Sequence, residues 1–383
     1  MNFDFTEEQE MLRESVIKLM ARHAPPEAVR KWDRDRSFPE DLYQAWVEAG
    51  LFRLPFPVEV GGLGGDAVDL ALVVYELSRV SADLCMAYSG GVFCALNILR
   101  KGTPEQRAYW LPRLFDGRIK FVIGISEPDA GSDVGNIHTM AVRDGDQYIV
   151  NGQKLWTTAA GLKNSVICAY VKTDKTVHYR KGLTHILIDN DAPGVDLRKL
   201  GMLGRRCVGT YEVFLRDTPV AADRVIGGEG AGWDCMMGGL QFERAVSAAG
   251  NCGGAQAVLD LAIKYAGERV QFGQPIGSFQ AIGHMLADMQ SELEAGKMLT
   301  WRAAWLAAQK RDALREITQA KLYTSEMYAK LANMGVQIMG GYGLNEEFDM
   351  QRYFRDSRSA TIAAGTSQAQ RNLLANLMGL KSR

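Results

Sequence analysis

The chain has no paired cysteine motif, no excess of either charge and no leader-like start. Its six cysteines, Cys85, Cys94, Cys168, Cys207, Cys235 and Cys252, include no CxxC pair and never approach the spacing of a metal knuckle. Buried thiols in a reducing compartment are the expectation. The five histidines, His23, His138, His178, His185 and His284, form no metal constellation. Forty-four Lys and Arg face 45 Asp and Glu, a formal net charge of -1, and no overall field advertises nucleic acid or an anionic membrane as a partner. The opening MNFDFTEEQE is acidic and lacks the cationic start and apolar stretch of a secretion signal. No apolar run reads as long enough to span a bilayer, and a cytoplasmic location is expected.

What remains is ordinary globular material: 383 residues, 47% of them hydrophobic, enough for two or three domain-sized units. Thr6 and Gln9 form a capping box ahead of Leu12, Val16, Leu19 and Met20, which recur on one helical face. A second box, Thr103-Pro104-Glu105-Gln106, starts another helix, and Leu70–Leu77 and Val92–Leu99 read as buried helix between them. The period then changes. Gln147–Val150 and Lys154–Thr157 flank Asn151-Gly152, the dipeptide suited to a two-residue hairpin turn, and Asp144-Gly145 marks another turn. Ser165–Val171, Thr184–Ile188 and Thr210–Leu215 are further β patterns, and the β region ends near Val225. Long helical patterns follow: Gly239–Gly267, Ser278–Gln309, Leu314–Met339 and a last one from Thr366. The fold class is therefore α+β and mainly helical: an N-terminal helical domain (1–120), a small middle β domain (121–230) and a C-terminal four-helix bundle (231–383).

Two glycine-rich stretches are weak signals. GGEGAGW, Gly227–Trp233, lacks the third glycine of a dinucleotide loop and does not open a βαβ unit, so it reads as an interdomain hinge. GGYG, Gly340–Gly343, reads as a left-handed helix cap. More specific is ISEPDAGSDVG, Ile125–Gly135, taken with KLWTT, Lys154–Thr158. A planar redox ring needs an aromatic wall, here Trp156, and hydroxyls that reach its polar edge, here Ser126 and Thr158.

On these segments the chain resembles the acyl-CoA dehydrogenases, flavoproteins that bind FAD and oxidise acyl-CoA thioesters. ERVQFGQPIGSFQ (Glu268–Gln280), QIMGGYG (Gln337–Gly343), RYFRDSRSATI (Arg352–Ile362) and GTSQAQR (Gly365–Arg371) extend the resemblance over the whole chain. It implies that Ile125, Ser126, Trp156 and Thr158 surround the flavin ring, and that Ser132 meets both cofactor and the CoA arm. Arg269, Gln271, Phe272, Gln280, Gln337 and Gly341 match positions that reach the FAD of a neighbouring subunit. Thr366 and Gln368 match binders of the adenosine diphosphate part, and hydroxyls and amides at a helix start suit a pyrophosphate. The resemblance further implies a homotetramer, built as a dimer of dimers, and electron-transfer flavoprotein as redox partner.

Removing hydrogen across Cα and Cβ needs a base for the α-proton, and a carboxylate desolvated by the bound thioester fits. Many family members place a Glu directly before the glycine of GTS. Here that position is Ala364, after Ala363. The family's second arrangement, in isovaleryl-CoA and long-chain enzymes, puts the Glu beside an Arg on a bundle helix, matching Glu243 and Arg244 of LQFERAVSAAG. A solvated charged pair is the other reading of these two residues. The closely packed run Ala245, Val246, Ala248 and Ala249 favours a functional carboxylate, with Glu243 as base and Arg244 and Gly365 on the substrate side. Asp133 and Asp356 are fallback carboxylates. The opening segment and KWDRDRSFPEDLY most resemble bacterial members related to crotonobetainyl-CoA reductase, which opens the enoyl-CoA reductase direction. The same residues are also compatible with a flavin oxidase or a non-catalytic flavoprotein. The small Ala363 and Ala364 suggest room for a branched or polar short acyl group.

Overall fold

The structure, a computed structural model, describes residues 4–380 and all their side chains except those of residues 241 and 242. Five helices come first: α1 (Glu7–His23), α2 (Pro26–Asp35), α3 (Glu40–Glu48), α4 (Ala67–Lys101) and α5 (Pro104–Phe115). The β region holds β1 (Lys120–Gly124), β2 (Met140–Asp144), β3 (Gln147–Thr158), β4 (Ser165–Lys172), the single-turn α6 (Tyr179–Gly182), β5 (Leu183–Asp189), β6 (Val195–Lys199), β7 (Thr210–Ala221) and β8 (Val225–Ile226). Then come α7 (Gly232–Glu268), the hairpin β9 (Val270–Gln271) and β10 (Gln274–Pro275), α8 (Gln280–Ala308), α9 (Leu314–Met339), α10 (Met350–Ala360) and α11 (Ser367–Leu377). The order is helices, a small sheet, then helices, the mainly helical α+β fold read from the sequence.

Both capping boxes form. Thr6 accepts from the Gln9 N–H at 3.2 Å while Gln9 accepts from Thr6 N–H at 3.1 Å, and Thr103 and Gln106 do the same at 3.2 and 3.0 Å. The two buried patterns at Leu70–Leu77 and Val92–Leu99 belong to one long element, α4, kinked where Ser81 leaves helical geometry and its hydroxyl caps Leu84 N–H at 3.2 Å. By length and composition α4 is apolar enough to cross a bilayer, unlike the expectation from sequence. Some 67% of its apolar window is buried within the protein, which accounts for the hydropathy as core.

By internal contacts the chain forms two compact units. One holds residues 38–65 and 86–243. Its sheet runs β6-β7-β3-β2-β4-β5-β8, with β1 parallel to β4. β4 is buried along nearly its whole length, so it reads as a continuous apolar run rather than an alternating one. The first turns of α7 cover the sheet, with Cys235 and Met236 packed among Ala130, Ile137, Tyr170 and Leu183.

Asn151-Gly152 does not turn the chain. β3 continues through it, and the register against β7 slips between Val150 and Gly152. The Asn151 amide donates to Asp217 Oδ1 at 3.0 Å and its oxygen accepts Asp217 N–H at 2.9 Å. Asp217 takes a positive φ of 46°, so the dipeptide serves a bulge in a long ladder. The hairpin turn marked by Asp144-Gly145 does form: Asp144 closes β2 by pairing with Gln147, and Gly145 and Asp146 make the two-residue loop.

The other unit takes residues up to 37, 66–85 and 244 onward. Here α9 packs against α8, α10 and α11. Close approach is made by glycines on α7: a Cβ on Gly253 would lie 2.1 Å from the Tyr75 carbonyl oxygen, and one on Gly254 would lie 2.5 Å from the Tyr328 ring. α10, which no sequence pattern announces, is fixed by a buried ion pair from Arg355 to Asp33. The helix before GGYG ends at Gly340 with φ 59° and ψ -136°. That is a glycine-only conformation rather than the left-handed cap expected.

Candidate functional site

The first cluster lies in the sheet-containing unit. The chain leaves β1 at Gly124, and Ile125 and Ser126 follow half-buried. The Ser126 carbonyl accepts the Leu155 N–H at 2.8 Å, which brings the Ile125–Ser126 loop beside the end of β3. There the ladder slips again between Lys154 and Thr157, and Trp156 takes φ 61°. A positive φ is strained for a tryptophan, and such strain concentrates at functional sites. The bulge leaves Trp156 54% exposed beside the fully buried Thr157, a flat apolar face two residues before Thr158. The Thr158 hydroxyl accepts from Arg205 at 3.5 Å.

Beneath this cradle lies Lys154, fully buried. Its ammonium donates to Glu127 Oε1 at 2.7 Å, to the Ile125 carbonyl at 3.2 Å and to the Tyr170 carbonyl at 2.5 Å. The Glu127 carboxylate also accepts the His138 N–H, and the Thr139 N–H at 3.0 Å. Burial lowers the Lys154 pKa to about 8 against the opposing pull of Glu127. Burial works against the Glu127 charge too, but Lys154 and the two backbone donors outweigh it and hold its carboxyl below the usual range. Ser132 sits on the exposed part of the following loop.

Glu243 is half-buried on α7 in the same unit. Its charge reaches the Cys94 thiol, whose pKa is pushed up by burial first and by Cys168 and Glu243 after it. Arg244, the next residue, belongs to the other unit, where its Nε donates to the Ala364 carbonyl at 3.4 Å. Ala364 and Gly365 both take positive φ, 55° and 88°. This turn is held from inside by the fully buried Gln370, whose amide donates to the Ala364 and Gly365 carbonyls at 3.4 and 3.1 Å. Buried Lys321 donates to the Ala360 and Gly365 carbonyls at 3.1 and 2.6 Å. Thr366 caps α11 by accepting the Ala369 N–H at 3.1 Å, and Gln368 lies exposed on that helix's first turn.

A third cluster lies wholly in the helical unit. Tyr265, Arg269, Gln271, Gly341, Tyr342 and Asn345 are among the residues lining a cavity of about 510 Å3. The Arg269 guanidinium stands 5.6 Å from the Tyr342 ring centroid, and a Cβ on Gly340 or Gly341 would meet nothing within 4 Å. A cation beside open glycine backbone suits a phosphate-bearing group. Phe272, at the tip of the β9–β10 hairpin, is 94% exposed. Gln280, the first residue of α8, and Gln337, near the end of α9, are also exposed and stand outside this lining.

Sequence profiles of the N-terminal, middle and C-terminal domains of acyl-CoA dehydrogenase match residues 6–118, 122–218 and 230–379. The chain belongs to the acyl-CoA dehydrogenase family. A probable acyl-CoA dehydrogenase of Bacillus subtilis is 36% identical over 98% of this chain and 99% of its own length. The caffeyl-CoA reductase-Etf complex subunit of Acetobacterium woodii is 34% identical over 98% and 99%. The butyryl-CoA dehydrogenase structure from Megasphaera elsdenii superposes with a TM-score of 0.93 at 29% identity, covering 99% of this chain and all of that one.

As a member of the acyl-CoA dehydrogenase family the protein is an oxidoreductase, and its cofactor is FAD. The residues present fit that group on two observations: the exposed Trp156 face on its strained bulge, and the arginine-lined cavity with open glycine backbone. Reading motifs missed the groups underneath. Lys154 and Glu127 stand inside the quoted segments, and a charged residue at a buried strand position was the available signal. Lys321 and Arg205 lie outside every recognised motif.

Proposed function

We propose that the protein is an FAD-dependent dehydrogenase of an acyl-CoA thioester, with Glu243 taking the α-proton. FAD, when bound, supplies the acceptor for the β-hydride at N5. The observation that carries the reading is the Arg244–Ala364 hydrogen bond: the residue directly after Glu243 is tied to the alanine that stands where many relatives carry their base. Arg244 thereby supports the turn of Ala364 and Gly365, and Ser132, Arg244 and Gly365 contact the substrate. Ile125, Ser126, Trp156 and Thr158 hold the ring. Thr366 and Gln368 hold the diphosphate part, and Arg269, Gln271, Phe272, Gln280, Gln337 and Gly341 reach the cofactor of a neighbouring subunit in a homotetramer. The exposed Phe272 hairpin supports that last assignment. Electrons leave to an electron-transfer flavoprotein, the enzyme works in the cytoplasm, and its domains divide at residues 120 and 230.

A second reading runs the same site as an enoyl-CoA reductase, favoured by the relative named as a caffeyl-CoA reductase subunit. Anaerobic flavin bleaching with a panel of short, branched and medium acyl-CoAs tests the first reading. A general base contributes about 10²–10⁴-fold, so Glu243→Gln should bleach slower by that factor while still binding the thioester. Bleaching as fast as wild type would sink Glu243 as the base. Reoxidation of the dithionite-reduced enzyme by enoyl-CoAs, faster than any acyl-CoA bleaches it, would favour the reductase.

A further inference from the structure

We infer that Lys154 is a positioning residue that raises the reduction potential of the flavin through the Ile125–Ser126 peptide. The Ile125 carbonyl that accepts from the ammonium at 3.2 Å and the Ser126 N–H are the two ends of one amide group. A cation on the carbonyl end draws electron density from the amide and makes its N–H a stronger donor, since bonds in a chain polarise one another by roughly 10–30% in low-dielectric surroundings. Negative charge gathers on the polar edge of the ring as it takes up electrons. A strengthened donor fixed at that edge therefore favours the reduced form over the oxidised one, the same logic by which preorganised amides stabilise developing charge.

Three features make the device specific. Lys154 is wholly shielded from water, so its charge is little screened. Glu127 keeps the ammonium charged at neutral pH, and two backbone N–H groups anchor its carboxylate, so the cation cannot swing away. The Leu155 N–H to Ser126 carbonyl bond, at 2.8 Å, fixes the next peptide in the same loop. The pair thus does more than fill a hole in the sheet: it orients one amide and loads it with charge. The inference rests on the proposed seating of the ring against Ser126 and Trp156.

The test is a redox titration of the FAD-loaded enzyme, comparing wild type with the double variant Lys154→Met/Glu127→Gln, which removes both charges and keeps the volume. We expect a folded double variant that retains FAD but has a reduction equilibrium at least tenfold less favourable, about 30 mV lower for a two-electron couple. Lys154→Arg, which keeps the cation, should stay closer to wild type. A folded, FAD-loaded double variant with the wild-type potential overturns the inference. If the double variant does not fold, the same titration on Lys154→Gln decides by the same two outcomes. Trp156→Leu separates failures: an unchanged flavin absorption band there means the ring sits elsewhere, and the seating itself falls. A shifted band with an unchanged potential in the charge-free variant sinks the Lys154 link alone.

Discussion

Two loops of this chain are each held from beneath by a buried lysine, by different means. In the sheet-containing unit Lys154 meets a carboxylate, Glu127, as well as two carbonyls. In the helical unit Lys321 reaches the Ala360 and Gly365 carbonyls. Ala360 is the last residue of α10, so this ammonium sits where the partial negative charge of a helix C-terminus gathers. β3 offers Lys154 no such dipole, and its buried cation meets a full counter-charge in Glu127. The shared consequence is chemical. Each lysine donates to the carbonyl end of a peptide whose N–H end belongs to Ser126 or Thr366, residues we propose to hold the cofactor.

Breaking the two supports separately should expose the difference. Lys154→Met leaves the Glu127 carboxylate buried beside a methionine, and unpairing a buried charge costs about 3–5 kcal/mol. Lys321→Met leaves the Ala360 and Gly365 carbonyls short of a donor, a loss of about 1–3 kcal/mol, and removes a charge that, after Arg371, also helps hold the Glu326 carboxyl low. Urea midpoints with saturating FAD should therefore fall further for Lys154→Met, and adding Glu127→Gln should restore most of that loss. An equal fall for both single variants would mean that the ion pair and the helix end are interchangeable.

A second experiment concerns the β4–β5 pair. Tyr170 gives its carbonyl to Lys154, and its ring stacks on His185 at 4.6 Å and 7°. His185 is fully buried, neither ring nitrogen has a hydrogen-bond partner among the described residues, and burial lowers its pKa to about 3. The sign follows from that depression. Above the unfolded value near 6.5 the imidazole is neutral in both states and its contribution is fully present. As the pH falls toward 3 only the unfolded chain takes up the proton, and stability drops by at most about 1.4 kcal/mol per pH unit. His185→Phe keeps a stacked ring without a proton site, so thermal midpoints between pH 6.5 and 4 should decline less steeply than in wild type. Parallel declines would assign the acid sensitivity to other groups.

The elements legible in the sequence are those whose signals are local. Thr6 and Thr103 announce their helices through a box four residues long, and periodicity together with the glycines that follow bounds Leu314–Met339 to the residue. Asn151-Gly152 misleads for the same reason. Its backbone preference is real, yet Asp217, 66 residues away, decides between a turn and a bulge. The site divides in the same way. The residues proposed to hold the ring sit in short motifs, whereas the pairing of Lys154 with Glu127, or of Lys321 with Gly365, exists only after distant segments meet. Arg244 shows the limit most plainly, because its Ala364 partner lies 120 residues on.

The smallest effect is expected at the hairpin tip. Phe272 and Gly273 both have positive φ, 51° and 78°, the geometry of a two-residue turn for which asparagine is favoured at the first position. A phenylalanine there is held at a cost of about 1–2 kcal/mol. It is 94% exposed, and within its own unit its ring meets Phe279 edge-on at a centroid distance of 6.2 Å. That contact is worth about 0.5–1.5 kcal/mol, so Phe272→Asn should change the folding midpoint of the chain by no more than about 1 kcal/mol in either direction. Function should respond where stability does not. If the ring reaches a neighbouring subunit's FAD, the variant loses flavin on gel filtration, read from the ratio of flavin to protein absorbance, while its melting curve without added FAD stays put. Undiminished flavin and an unchanged elution volume would make Phe272 a strained turn residue only. The hairpin would then have to be removed from the cofactor site.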